Sequence, residues 1–171
     1  MCSKKIIMVT GGQRSGKSEF AEHTALSLSS SPVYLATAQP YDDEFRHRVR
    51  LHQLRRGPEW TNIEEQLYLA DHDLSSRTVL VDCVTMWATN IFFHCGEDID
   101  KALDMFRKEF DRILTIDSTF IFVTSEIGLG GTSENAMQRH FTDLLGLVNR
   151  HVARHADDVY LLISGIDLKI K

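Results

Sequence analysis

The sequence predicts an α/β fold, a mostly parallel sheet with helices on both faces and a C-terminal edge strand. Three observations carry this expectation. Short apolar, β-branched runs alternate with longer helical patterns, an order that builds right-handed βαβ units. The runs are continuously apolar, as strands buried on both faces require. A glycine-rich segment stands directly between the first run and the first helical pattern.

In chain order, strands are expected at Ile6–Thr10, Val33–Ala36, Thr78–Asp82, Phe120–Thr124 and Val159–Ser164. Helices are expected at 16–29, 43–56, 84–94, 99–115 and 134–155. The serine cluster from Ser27 to Ser31 reads as a helix end and a loop. Residues 43–56 open acidic and close basic, which complements a helix dipole. In the segment 99–115, Ile99, Leu103, Phe106, Phe110 and Ile113 recur at helical spacing, the mark of a core-facing stripe. The terminal run Gly165-Ile-Asp-Leu-Lys-Ile-Lys171 alternates and fits an edge strand with lysines facing water. In such a fold, ligands gather at the carboxyl ends of the strands.

At 171 residues, with no internal repeat or evident linker, the chain is expected to form a single domain, residues 1–171. Hydrophobic residues make up 43% and charged residues 25%, an ordinary globular balance. A formal charge of −5 argues against nucleic acid as the partner, since phosphate backbones select basic surfaces. The three cysteines, Cys2, Cys83 and Cys95, form no CxxC pair and leave an odd count, so reduced thiols are expected rather than a disulfide scaffold or a zinc site. The apolar run before the first glycines is too short for a signal peptide core, and no stretch approaches the ~20 apolar residues of a membrane span. A cytoplasmic location is expected.

Gly11-Gly12-Gln13-Arg14-Ser15-Gly16-Lys17-Ser18 satisfies G-x-x-x-x-G-K-S/T and follows a strand as it opens a helix. This is the P-loop pattern. Its glycines let backbone N–H groups wrap a phosphate, and the helix N-terminus adds a positive dipole. Lys17 would neutralise the β- and γ-phosphates, and the Ser18 hydroxyl would ligate Mg²⁺. Asp82 ends the buried run Val79-Leu80-Val81 and fits a Mg²⁺-organising carboxylate, or else a cap of the next helix. Glu126 follows another strand at the same sheet edge, as base, metal support or ordinary loop acid.

Glu44, Arg48, His52 and Arg56 recur every four residues and form one helical stripe. Flanking arginines disfavour protonation of an imidazole, leaving it nucleophilic, and can grip phosphates in forked geometry. A solvated basic face explains the same pattern, and His47 is an equal candidate on composition.

Further residues occur in a distinctive order: Tyr34-Leu-Ala-Thr-Ala38, Asp43-Glu44 with His52 eight positions on, Arg56, Trp60, Asp82-Cys83-Val84-Thr85, Glu126-Ile127-Gly128, Ser164-Gly165-Ile166 and Lys169-Ile170-Lys171. Together with the P-loop, they make the chain resemble the bifunctional adenosylcobinamide kinase/adenosylcobinamide-phosphate guanylyltransferase family of cobalamin biosynthesis, over essentially its full length. The resemblance implies phosphorylation of adenosylcobinamide by ATP or GTP. It further implies transfer of GMP from GTP through a covalent guanylyl-histidine, giving adenosylcobinamide-GDP and pyrophosphate. It aligns the family histidine with His52, not His47, and implies nucleotide contacts at Ala36, Thr37, Ala38, Gln53, Leu54, Arg55, Arg56, Glu64 and Asp82. A corrinoid substrate and a homotrimer follow from the same resemblance. The chain departs from the usual family pattern at Ser125, at Asp82 where glutamate is frequent, at Gly57-Pro58 and in the proline-free loop Gly128–Ser133. Two other functions fit a P-loop: a monofunctional small-molecule kinase, which would form no covalent nucleotide, and a nucleotide-gated regulatory module, which would hydrolyse slowly without an acceptor.

Overall fold

The computed structural model describes residues 4–39 and 57–171. The elements in chain order are β1 (Lys5–Gly11), α1 (Lys17–Leu28), β2 (Val33–Ala36), β3 (Thr61–Glu64), β4 (Thr78–Asp82), α2 (Val84–His94), α3 (Ile99–Thr115), β5 (Thr119–Val123), α4 (Ala136–His155), β6 (Asp158–Ile163) and β7 (Ile166–Lys169). The strands form one seven-stranded sheet in the order β3-β2-β4-β5-β1-β6-β7. Every neighbouring pair is parallel except β6 and β7, which run antiparallel as a hairpin. This is the α/β architecture expected of a P-loop protein, with its C-terminal edge strand in place.

Alternate residues of the central strands feed two cores, because side chains on a strand point to opposite faces. Ile7 and Val9 of β1, Leu80 of β4 and Ile121 and Val123 of β5 pack with Ala21 and Ala25 of α1. The small alanines let α1 lie close to the sheet. Ile6, Met8, Val79, Val81, Phe120 and Phe122 pack on the other face against α2, α3 and α4. The stripe expected on α3 is buried there, with Phe106, Phe110 and Ile113 fully enclosed. None of the described helices is long and apolar enough to cross a membrane.

β3 is the element that sequence periodicity did not indicate. Its Thr61-Asn62-Ile63-Glu64 has one apolar residue and lies at the sheet edge, mostly exposed. Burial on both faces, the signal that reveals the other strands, is absent at such an edge. The register Val33↔Thr61 to Ala36↔Glu64 fixes it through main-chain bonds instead. The helix expected at 43–56, with His47, His52, Gln53, Leu54, Arg55 and Arg56, lies outside the described residues, as does Cys2.

Parallel pairing brings the carboxyl ends of β1, β2, β3, β4, β5 and β6 to one edge of the sheet. Gly11, Ala36, Glu64, Asp82 and Val123 therefore share it, and the loops that follow them can meet.

Candidate active site at the carboxyl ends of the strands

The P-loop spans the gap between β1 and α1. Gly11 has φ +152° and Gly16 φ +94°, backbone conformations that strain residues bearing a Cβ. At Gly11 an added Cβ would press on the Leu162 carbonyl oxygen as well as the Ser15 hydroxyl, so glycine is required twice over. Gly16 is the N-cap of α1 and supplies no side-chain cap, which leaves the first turn of the helix open to an anion. Among the described residues, the buried Ser15 Oγ has no hydrogen-bond partner.

Lys17 Nζ donates to the Gly12 carbonyl oxygen at 2.5 Å, so the lysine folds back across its own loop. Burial pulls its ammonium below the ordinary lysine range, and nearby Cys83 and Asp82 oppose that shift. Burial, and then Asp82, push the Cys83 thiol itself up to about 12. The thiol is thus neutral at physiological pH, and Asp82 is the operative counter-charge to Lys17.

Asp82 ends β4, and its Oδ2 accepts a hydrogen bond from the Tyr34 hydroxyl at 2.6 Å. It does not cap the following helix. That role falls to Cys83, whose Sγ accepts from the Met86 N–H at 3.4 Å. The structure therefore removes the capping alternative for Asp82 and leaves its carboxylate at the P-loop edge. The sequence carries no separate signal for this role of Tyr34, because it is the parallel register Tyr34↔Leu80 that sets β2 beside β4.

Thr37 is fully buried. Its hydroxyl donates to the Cys83 carbonyl at 2.7 Å and accepts from the Cys83 N–H at 2.9 Å. Its backbone N–H donates to the Asp82 carbonyl at 3.2 Å, and its carbonyl accepts from Asn90 Nδ2 at 2.8 Å. Thr37 is therefore committed to holding the ends of β2 and β4 together. Ala36 and Ala38 flank it, half-buried, and Glu64 is exposed at the end of β3.

Glu126 is tied to the P-loop strand. Its Oε1 accepts from Thr10 Oγ1 at 2.8 Å and from Asn149 Nδ2 at 3.2 Å, while its backbone N–H donates to the Gly11 carbonyl at 3.2 Å. Asn149 also donates to the Ser125 carbonyl at 3.1 Å and accepts from Thr124 Oγ1 at 2.7 Å. One buried amide on α4 thus locks the ends of β1 and β5.

A separate cavity of about 380 Å³ is bounded by Ala70, Lys108, Asp111, Arg112, Thr115 and Ile116. It lies by the end of α3, at the edge where the strands begin, opposite the P-loop. Its Arg112 is already paired with Asp71 at 2.5 Å and Glu109 at 2.7 Å. The chemistry-bearing groups lie at the other edge.

Residues 7–170 match the family described as cobinamide kinase / cobinamide phosphate guanyltransferase. The chain is 35% identical to the "Bifunctional adenosylcobalamin biosynthesis protein CobU" of Escherichia coli, covering 97% of this chain and 99% of that protein. It is also 35% identical to the Salmonella typhimurium protein of the same name, with the same coverage, and 32% identical to the "Bifunctional adenosylcobalamin biosynthesis protein CobP" of Pseudomonas aeruginosa, covering 96% of each. Among solved structures, a Pyrococcus horikoshii protein superposes with a TM-score of 0.56 at 8% identity, covering 100% of this chain and 88% of that one. That likeness speaks to the fold alone.

Proposed function

Because the chain belongs to the cobinamide kinase / cobinamide phosphate guanyltransferase family, we propose that it performs both reactions on adenosylcobinamide. In the first, the substrate hydroxyl oxygen attacks the γ-phosphorus of ATP or GTP. The bond to the bridging oxygen breaks, a nucleoside diphosphate leaves, and the hydroxyl proton is released. In the second, a neutral imidazole nitrogen of His52 attacks the α-phosphorus of GTP and pyrophosphate departs. The adenosylcobinamide phosphate oxygen then displaces the histidine, taking GMP to form adenosylcobinamide-GDP. Covalent storage replaces the meeting of two large substrates by two simpler encounters.

The observation that carries this reading is the open P-loop, with Lys17 close to Asp82, in a chain that aligns from end to end with bifunctional relatives. Phosphates entering the loop would draw Lys17 away from the Gly12 carbonyl and onto developing negative charge. Among the described residues, no group of three or more His, Cys, Asp or Glu could hold a metal ion. Mg²⁺ is ordinarily bound by one or two protein oxygens together with substrate phosphates. Ser18 and the Tyr34-oriented Asp82 would hold it, and it would supply charge neutralisation at the phosphates. Ala36, Ala38, Gln53 to Arg56 and Glu64 complete the nucleotide site in this reading, and the assembly is a homotrimer.

The test supplies adenosylcobinamide, Mg²⁺ and GTP and follows products by mass. The phosphate ester followed by the GDP ester is the expected sequence. The phosphate ester alone would reduce the protein to a monofunctional kinase, and GTP hydrolysis without either ester would leave a nucleotide-gated module.

A further inference from the structure

The C-terminal signature Ser164-Gly165-Ile166 has no part in the chemistry above, yet its turn lies against the P-loop. We propose that this turn is a positioning element of the nucleotide site, with the Gly165 N–H holding the P-loop in its phosphate-binding conformation. The inference rests on the P-loop reading and deepens it.

The Gly165 N–H donates to the Ser15 carbonyl oxygen at 3.0 Å. In a trans peptide the C=O and the next N–H point in opposite directions. Pinning the Ser15 carbonyl to the turn therefore sends the Gly16 N–H the other way. A concave anion site needs this arrangement, because its N–H groups converge inward and its carbonyls must find partners outside. The contact is backbone on backbone: a Cβ on Gly16 would stand 3.4 Å from the Gly165 Cα. The other hinge of the loop, Gly11, lies against the Leu162 carbonyl at the end of β6. Both glycine hinges thus rest on the same hairpin.

The hairpin is a firm support. Ser164 has φ +53° and Gly165 φ +83°, the paired positive values of a tight two-residue turn matched to strand twist. Asp158 at the base of β6 pairs with Lys5 of β1 and Lys169 of β7, each at 2.6 Å. A loop ordered before the ligand arrives loses less freedom on binding, so the support acts on affinity rather than on the chemical step.

The test replaces Gly165 by glycolate through nonsense suppression, turning the one N–H into an ester oxygen. A control ester at Ile170 deletes the hairpin bond from the Ile170 N–H to the Val159 carbonyl, 2.8 Å, which does not touch the P-loop. Binding is read as the Kd for GDP with Mg²⁺, and turnover as kcat with saturating GTP. The glycolate protein should bind GDP about fivefold more weakly, the share of one backbone hydrogen bond, with kcat within about twofold of wild type. The Ile170 ester should match wild type. Unchanged GDP affinity in the glycolate protein, or equal losses from both esters, would overturn the inference. A wild-type protein that binds no GDP would instead overturn the P-loop reading beneath it.

Discussion

The Tyr34 hydroxyl holds Asp82 Oδ2 at 2.6 Å, which restrains the carboxylate beside Lys17. Tyr34→Phe keeps the ring and its edge-on contact with Trp60 and removes the hydroxyl that donates to Asp82. The half-saturating Mg²⁺ concentration for turnover should rise about tenfold, as when a partner orienting a metal-binding carboxylate is lost. Initial rates across a Mg²⁺ titration check this, and an unchanged midpoint would show that Asp82 needs no such restraint. Glu126 separates charge from hydrogen bonding. Glu126→Gln retains an oxygen that can accept from Thr10 and Asn149, whereas Glu126→Leu leaves both donors without it. The leucine variant should lose about 2 kcal/mol and melt about 4–8 °C lower; the glutamine variant should melt within about 2 °C of wild type. Equal melting of the two would show that the network adds little. The sequence disclosed these residues unevenly. Lys17, Ser18 and Asp82 stand at fixed places in a pattern shaped by phosphate chemistry. Thr10, Tyr34 and Asn149 act through partners 116, 48 and 23 to 25 positions away, which only the folded chain brings near.

At the scale of elements, the C-terminal hairpin joins the sheet edge to the P-loop. Asp158 lies between Lys169 and Lys5, and their hydrogen bonds hold its carboxyl below the ordinary aspartate range. A depressed folded-state pKa contributes stability above the unfolded value, and that contribution fades as pH falls through the folded value. Wild type should therefore melt about 2–4 °C above Asp158→Asn near pH 7, with the gap closing below about pH 4. Thermal scans at several pH values check the sign; a gap that widens in acid would contradict it. Strands covered on both faces were legible because their continuous apolar runs meet a physical requirement. β3 was not, since an exposed edge strand places no such demand on its side chains. α4 starts at Ala136 rather than 134 because the Asn135 side chain accepts from the Gln138 N–H at 3.1 Å and sets the boundary.

For the whole molecule, one strand edge gathers the P-loop, Asp82, Thr37 and the Glu126 clamp, and the two successive transfers are proposed to take place there. The fold class was readable because strand and helix periods differ so plainly along this chain. The two-step chemistry was not, because a P-loop serves kinases, switches and transferases alike. The segment holding His52 and its arginines supplied that distinction through resemblance. The most direct measurement incubates the protein with Mg²⁺ and GTP labelled at the α-phosphate, comparing wild type with His52→Ala and His47→Ala. The account predicts acid-labile, alkali-stable label on wild type and His47→Ala, and none on His52→Ala. Wild-type protein that binds GTP yet stays unlabelled, or label that persists on His52→Ala, would contradict it.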